Sequence, residues 1–164
     1  MESCLACDGV CCRVYRVPIT GSDLRRIMEA GRSVGEFVGW LDVGSFDTSY
    51  PDVRLDDGYK YMVLARRQDG TCVLAKEEDG RLRCGIHGHH PLVCRIYPFN
   101  PFQGGLVRKP MCRRAGRPYK IIRELGQRNR AELKEYLAKV ERWNRGRKKG
   151  RSADEFLEFI LAKE

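Results

Sequence analysis

Eight cysteines constrain the fold of this chain more than any other feature of its sequence. Four of them fall within nine residues, in the pattern C-x2-C-x3-C-C, at Cys4, Cys7, Cys11 and Cys12. The other four are Cys72, Cys84, Cys94 and Cys112. Thiolates are soft anionic ligands that suit zinc and iron–sulfur clusters, and a C-x2-C turn can bring two sulfurs to one ion. The pattern predicts that all eight cysteines are metal ligands.

Two other uses of clustered cysteines are weaker interpretations. Disulfide scaffolds are typical of short secreted chains, whereas this chain has 164 residues and starts without a secretory segment. Buried free thiols pack as small hydrophobic groups, but packing alone does not explain why four cysteines cluster. The sequence therefore favours a cytoplasmic protein whose thiols stay reduced and available to metal.

The cysteine count leaves the number of metal centres open. Eight thiolates could form one four-thiolate centre with spare cysteines, or two such centres. Neighbouring side chains on an extended backbone point apart, so Cys11 and Cys12 could serve different centres, or one could be a ligand and the other a packing residue. Cys112 lies beside Arg113 and Arg114, whose charges would favour its thiolate form. It could complete a second site or be a spare thiol.

Short β-forming runs between turn signals predict an α+β fold, with a short antiparallel β-meander flanked by helices. Strands are expected at 59–67, 71–74 and 81–84, with an Asp-Gly pair between each two of them. This meander would present Cys72 and Cys84 from neighbouring strands. Another short strand is expected at 13–18, where polar and apolar residues partly alternate.

Capping signals place the helices. A helix is expected to begin within 20–23, with Thr20 or Ser22 as its cap. A capping box at Ser33 should open another helix that reaches Leu41. The pattern becomes helical from Tyr119, and a further capping box at Ser152 opens the last helix. We predict a cysteine-cluster metal-binding domain over 1–118 and a helical extension over 119–164 that packs on it, together forming one globular unit.

The carboxy-terminal third is strongly basic. Residues 1–100 carry 13 Lys and Arg against 14 Asp and Glu, whereas residues 101–164 carry 18 against 8, a net charge of +10. This charge could contact nucleic-acid phosphates, with Tyr119 or Trp143 stacking on bases, or it could be a solvated face. No stretch approaches the roughly 18 apolar residues of a membrane span, so no membrane partner is expected.

Three histidines lie between two of the cysteines. His87, His89 and His90 could ligate metal through neutral imidazole, or could hydrogen-bond nearby backbone. An enzyme is a further alternative, in which Arg95 and Tyr97 act on a substrate and a histidine carries a proton. An arginine beside a thiolate cluster more often donates hydrogen bonds to sulfur.

The combined motif resembles the YkgJ-like cysteine-cluster family, which is described as having a zinc- or iron-chelating domain. The matching residues are Cys4, Cys7, Cys11, Cys12, Cys72, Cys84, Ile86, Pro91, Cys94, Arg95, Tyr97 and Pro98. The resemblance covers roughly residues 4–112 and departs from the family pattern at residues 87–90.

The resemblance implies a metal centre, with a [4Fe-4S] cluster or zinc as its cofactor and a protein partner or substrate yet to be assigned. Flagellar lysine methylases look similar in their cysteine cluster, so an iron–sulfur enzyme related to protein lysine methylation is an implied alternative. The chain lacks a glycine-rich nucleotide loop, which counts against independent methyl transfer.

Overall fold

The structure is a computed structural model that describes residues 9–45, 48–97, 99–100, 107–108, 119–146 and 151–162. The helices are α1 (Val10–Val14), α2 (Gly21–Met28), α3 (Val34–Phe37), α4 (Leu92–Ile96), α5 (Tyr119–Arg145) and α6 (Ala153–Leu161). The strands are β1 (Val38–Asp42), β2 (Val53–Leu55), β3 (Gly58–Leu64), β4 (Ala75–Glu78), β5 (Arg81–Cys84), β6 (Phe99–Asn100) and β7 (Val107–Arg108). The predicted α+β class, with short antiparallel strands and a helical carboxy-terminal region, is confirmed.

The largest sheet has three antiparallel strands in the order β1-β3-β2. Strand β3 is central because both of its edges are paired, Trp40 lying opposite Met62 on one side and Val53 opposite Lys60 on the other. Strands β4 and β5 form a separate hairpin, and β6 pairs with β7. The hairpin ends at Cys84, so its last residue belongs to the cysteine set.

The strand predicted at 13–18 is wrong over its first half. Gly9, in the left-handed region at φ 67°, starts α1 instead, and the N–H of Tyr15 donates to the carbonyl of Cys11 at 3.1 Å. Only the end of the segment is strand-like, where Pro18 forms an isolated bridge with Val63. Proline has no N–H to donate, which is consistent with a bridge at the margin of a sheet.

The second strand of the predicted meander is displaced along the chain. Residues 71–74 contain only the bridge between Cys72 and Arg66, and the strand itself is β4 at Ala75–Glu78. The N–H of Ala75 donates to the carbonyl of Cys72 at 3.0 Å, which turns the chain before the strand starts. Cys72 therefore stands beside the hairpin, and only Cys84 lies within it.

The helix predicted to reach Leu41 ends at Phe37 and is followed by β1. The Ser33 hydroxyl contacts the Glu36 carboxylate at 2.8 Å without capping a backbone N–H. Pairing with β3 overrides the local helical signal. Gly39 allows the two strands to approach closely, because a side chain at this position would place its Cβ only 3.1 Å from the Cα of Ala65.

The carboxy-terminal helices complete the core. Helix α5 buries one face against α4 and β2, and α6 packs on α2. The buried side chains of these two helices include Leu133, Tyr136, Val140, Trp143, Phe156 and Ile160. The Ser152 capping box that opens α6 is present, as the sequence predicted.

The proposed boundary at residue 118 lies outside the described residues. Among the described helices, none combines the length and apolar character that a membrane span requires.

Candidate metal centre

Five of the eight candidate ligands lie in the described residues, on four different pieces of structure. Cys11 and Cys12 are in α1, Cys72 is at the isolated bridge, Cys84 ends β5, and Cys94 is in α4. All five are half-buried and none forms a disulfide. The predicted ligands Cys4, Cys7 and Cys112 lie outside the described residues.

Backbone hydrogen bonds draw these pieces together. The N–H of Cys72 donates to the carbonyl of Cys12 at 2.8 Å, which joins α1 to the bridge segment. Cys84 pairs with Ala75 across the β4–β5 hairpin, three residues after Cys72. Residues separated by up to 72 positions in the sequence are therefore brought to the end of one hairpin.

The thiols are close enough to act on one another electrostatically. Burial raises the pKa of Cys94 well above its usual value, and negative charge on Cys11, Cys72 and Cys84 raises it further. A side-chain hydrogen bond in which the Cys12 thiol donates to Cys11, followed by burial, raises the pKa of Cys12. Without a cation, ionisation of several neighbouring thiols to thiolates is unfavourable. A bound cation would lower their pKa values and favour the thiolate forms. The thiols therefore suit a metal ion or an iron–sulfur cluster by their chemistry, although the described thiols are not arranged to coordinate one as they stand.

Cys72 has the most developed surroundings for a thiolate. Burial raises the pKa of Cys72, but hydrogen bonds from the backbone N–H groups of Leu74 and Ala75 and the charge of Arg66 oppose that rise. Hydrogen bonds and positive charge directed at a thiolate stabilise its anionic form. These groups suit a sulfur that carries negative charge when it ligates a metal.

Arg66 is a site residue that the sequence interpretation missed. Its guanidinium donates to the carbonyl of Arg13 at 2.7 Å and also to the carbonyls of Tyr15 and Gly70. It therefore ties the segment after α1 to the turn before Cys72. Arg66 pairs with Cys72 in the isolated bridge. A correct prediction of which residues pair after β3 would therefore have placed Arg66 beside Cys72.

A buried ionic network positions the helix that carries Cys94. Pro91 provides no side-chain cap for α4, and Asp23 of α2 accepts a hydrogen bond from the N–H of Leu92 at 3.1 Å instead. Asp23 also pairs with Arg26, and Arg26 contacts the two carboxylate oxygens of Glu132 at 2.8 and 2.7 Å. This network fixes α2, α4 and α5 together, and the sequence interpretation did not identify the role of Asp23 in it.

The histidines are placed for structural roles. His90 is buried, its Nδ1 accepts a hydrogen bond from the N–H of Gly88 at 3.2 Å, and its ring stacks on His87 at 5.3 Å. His89 is exposed. Within the described ranges, no group of three or more His, Cys, Asp and Glu side chains is arranged to hold a metal ion as it stands. Metal ligation by these histidines stays an untested alternative.

The other predicted functional residues lie apart or are already engaged. Tyr97 follows Cys94 by three residues, and its ring packs on Tyr15 at 4.9 Å. Trp143 is buried, donates from its indole N–H to the carbonyl of Arg54 at 2.7 Å, and lies 4.3 Å beneath the Arg151 guanidinium. Trp143 is therefore unavailable for stacking on a base. The side chain of Tyr119 is outside the described residues, and nucleic-acid binding stays a prediction.

A comparison of the chain with models of known protein families identifies its family. The model of the CxxCxxCC family, described as a "putative zinc- or iron-chelating domain", matches residues 3–113. The chain belongs to this family. Its own motif has three residues between the second and third cysteines, where the name of the CxxCxxCC family has two. No curated protein and no solved structure matches the chain.

Gly9 tests whether the position of α1 matters to the CxxCxxCC centre. A Cβ at Gly9 would lie 2.7 Å from the Cβ of Leu82 and would also collide with the Leu82 carbonyl. Gly9→Ala should therefore push α1, with Cys11 and Cys12, away from β5 and lower both thermal stability and metal retention. Thermal unfolding and metal analysis of the purified variant measure these two effects.

Gly80 provides the matched control. Its φ of +68° is almost that of Gly9, but a Cβ there would meet no atom within 4 Å. Gly80→Ala should cost only the left-handed strain of about 1–2 kcal/mol and keep its metal. Equal losses of metal in the two variants would contradict the proposed packing of α1.

Proposed function

We propose that this CxxCxxCC protein holds an iron–sulfur cluster or zinc at a single thiolate centre. The observation that carries the proposal is the gathering of Cys11, Cys12, Cys72, Cys84 and Cys94 from distant parts of the chain. Cys4 and Cys7 belong to the same motif as Cys11 and join the proposed ligand set on that ground. Cys112 remains a candidate ligand.

One centre is supported over two by the electrostatic coupling among the thiols. Two separate four-thiolate centres would divide the cysteines into groups that act little on each other. The charges of Cys11, Cys72 and Cys84 all act on Cys94, and those of Cys11, Cys72 and Cys94 all act on Cys12. Both members of the Cys11-Cys12 pair are therefore close enough to Cys72 and Cys94 to interact with them electrostatically.

The surrounding residues would moderate the negative charge of such a centre. Four thiolates are the usual ligand set of both a [4Fe-4S] cluster and structural zinc. Arg66 and the N–H groups of Leu74 and Ala75 offset charge at Cys72. When bound, an iron–sulfur cluster supplies electron transfer, whereas zinc supplies folding free energy alone. The identity of the metal thus decides between a redox role and a structural role.

Purification without exposure to air tests the proposal. An iron–sulfur cluster would give brown protein with absorbance near ~400 nm and acid-labile sulfide. Zinc would give colourless protein with stoichiometric metal by elemental analysis. Electron paramagnetic resonance of the reduced sample distinguishes a cluster from adventitious iron. Protein that holds neither metal, prepared without chelator from cells supplied with both, would overturn the proposal.

Cys112→Ser tests the number of centres. Because the five described cysteines and the amino-terminal pair already exceed four thiolates, we expect this variant to keep its full metal content and thermal stability. Loss of about half of the metal would indicate a second centre that includes Cys112.

A further inference from the structure

Three polar side chains lie buried beside the proposed centre with unsatisfied hydrogen-bonding atoms. Tyr50, Asn129 and Tyr136 have relative exposures of 7%, 1% and 3%. The hydroxyl oxygens of Tyr50 and Tyr136 and the amide nitrogen of Asn129 have no hydrogen-bond partner in the described part of the chain. Buried polar groups in native proteins are nearly always satisfied, by protein or by ordered water.

The three groups share one region. Asn129 and Tyr136 are seven residues apart on α5, which places them two turns apart on one face. Tyr50 lies just before β2, and β2 packs against α5. The electrostatics agree that Tyr50 and Tyr136 are close together. Burial raises the pKa of Tyr136, and the charge of Tyr50 raises it further. The three buried groups therefore lie where α5 meets the chain around β2.

The same region adjoins α4, which carries Cys94 and packs on α5. Burial raises the pKa of Tyr50, and the charges of Asp23 and Cys94 add to that rise, whereas the Asn129 amide opposes it. Tyr50 and Asn129 are thus near neighbours, although neither atom makes a hydrogen bond of good geometry with the other. Buried polar atoms that lie near each other without a direct hydrogen bond are commonly bridged by a water molecule.

The chemistry of the three groups matches water. Two hydroxyls can each donate and accept, and the amide nitrogen donates, so one or two waters could satisfy them with two to four hydrogen bonds each. Without water, the molecule would bear the full desolvation penalty of three buried polar groups. Three buried unsatisfied groups in one region are difficult to reconcile with a dry interior.

We propose that Tyr50, Asn129 and Tyr136 form an internal water-binding site that serves as the polar outer layer of the metal centre on its Cys94 side. The water site stands on the buried side chains alone, and its link to metal rests on the proposed function. Outer-layer hydrogen bonds orient metal ligands and adjust their charge, and their loss commonly weakens metal binding about 10-fold to 100-fold.

Tyr50→Phe and Tyr136→Phe test the water site. If the hydroxyls are bridged by water, each change should lower the melting temperature by about 2–4 °C, because a satisfied buried group is lost. If the region is dry, the change removes an unsatisfied group and should raise the melting temperature, which would overturn the site. Tyr59→Phe, at a tyrosine that is 49% exposed, is the control and should change little.

A high-resolution crystal structure of the full chain gives the direct readout. We expect ordered water within hydrogen-bond distance of at least two of the three atoms, and a dry interior there would refute the site. The metal link is read separately, from the chelator concentration that removes half of the metal. Tyr50→Phe should lower that concentration about 10-fold or more, while Tyr59→Phe leaves it unchanged.

The outcomes separate the two proposals. A protein that binds no metal but holds the internal water would overturn the proposed function and the outer-layer role, and leave the water site intact. A protein that binds metal with the same chelator resistance in wild type and Tyr50→Phe would overturn the outer-layer role alone.

Discussion

Changing Cys94 to serine should remove the bound metal and melt the tertiary structure. Serine is a harder ligand than thiolate and is barely ionised at neutral pH. Structural zinc contributes roughly 10–16 kcal/mol in small peptides, which rivals the ~5–15 kcal/mol total stability of a typical domain. Because α1, the bridge segment and β5 meet at the cysteines, their packing should fail with the metal. Metal analysis and near-ultraviolet circular dichroism measure the two effects.

The metal-free proteins provide the control for this prediction. After chelation, wild type and Cys94→Ser should have nearly the same stability, because the thiol then serves only as a small packing group. A large difference between the chelated proteins would mean that serine damages packing directly. A Cys94→Ser protein with full metal and an unchanged melting temperature would contradict the assignment of Cys94 as a ligand.

Changing Arg26 to alanine should produce the second large effect. The Arg26 side chain is 9% exposed and pairs with both Asp23 and Glu132. Glu132 also contacts Arg128 at 2.9 Å, so the larger loss falls on Asp23, whose carboxylate is 1% exposed and would lose the positive charge beside it. Breaking a buried pair in this way costs about 3–5 kcal/mol. Since Asp23 also holds the first turn of α4, metal should be released more easily. Urea unfolding and chelator titration check both effects.

An exposed ion pair supplies the matched control. Arg145 contacts Glu141 at 3.2 Å, with side chains that are 80% and 62% exposed. Exposed pairs contribute about 0–1 kcal/mol, so Arg145→Ala should change stability very little. Similar losses in the Arg26 and Arg145 variants would show that the buried network does not organise the fold.

The local signals in the sequence were sufficient where an element is determined by its own residues. Thr20 and Ser152 cap α2 and α6 as predicted, each with its reciprocal contact from Asp23 or Glu155. Capping boxes involve residues three apart, so no distant part of the chain can easily alter them. The Asp79-Gly80 turn is equally local, with both residues at positive φ.

Elements that depend on distant partners could not be placed in the same way. Residues 38–41 read as the continuation of a helix, yet each pairs with a residue of β3 that lies at least 20 positions later. The stretch 71–74 reads as a strand, but its strand pairing is confined to the isolated bridge between Cys72 and Arg66. Strand propensity depends on cross-strand packing, which a single sequence does not display.

The same limit applies to the candidate site. Cysteine chemistry identified the proposed ligands from residue type and spacing alone. The roles of Arg66 beside Cys72, and of Asp23 at the N–H of Leu92, depend on contacts that the fold creates. Arginine and aspartate are common surface residues, so nothing in their local sequence distinguishes them. Only the assembled structure indicates that they support the thiols.

Metal K-edge X-ray absorption on protein purified without air tests the central claim most directly. A single thiolate centre predicts a first coordination shell made of sulfur, at about 2.3 Å if the metal is zinc. The spectrum should lose that shell in Cys94→Ser and keep it in Cys112→Ser. A first shell dominated by nitrogen or oxygen, near ~2.0–2.1 Å for zinc, would contradict the claim that the gathered cysteines hold the metal.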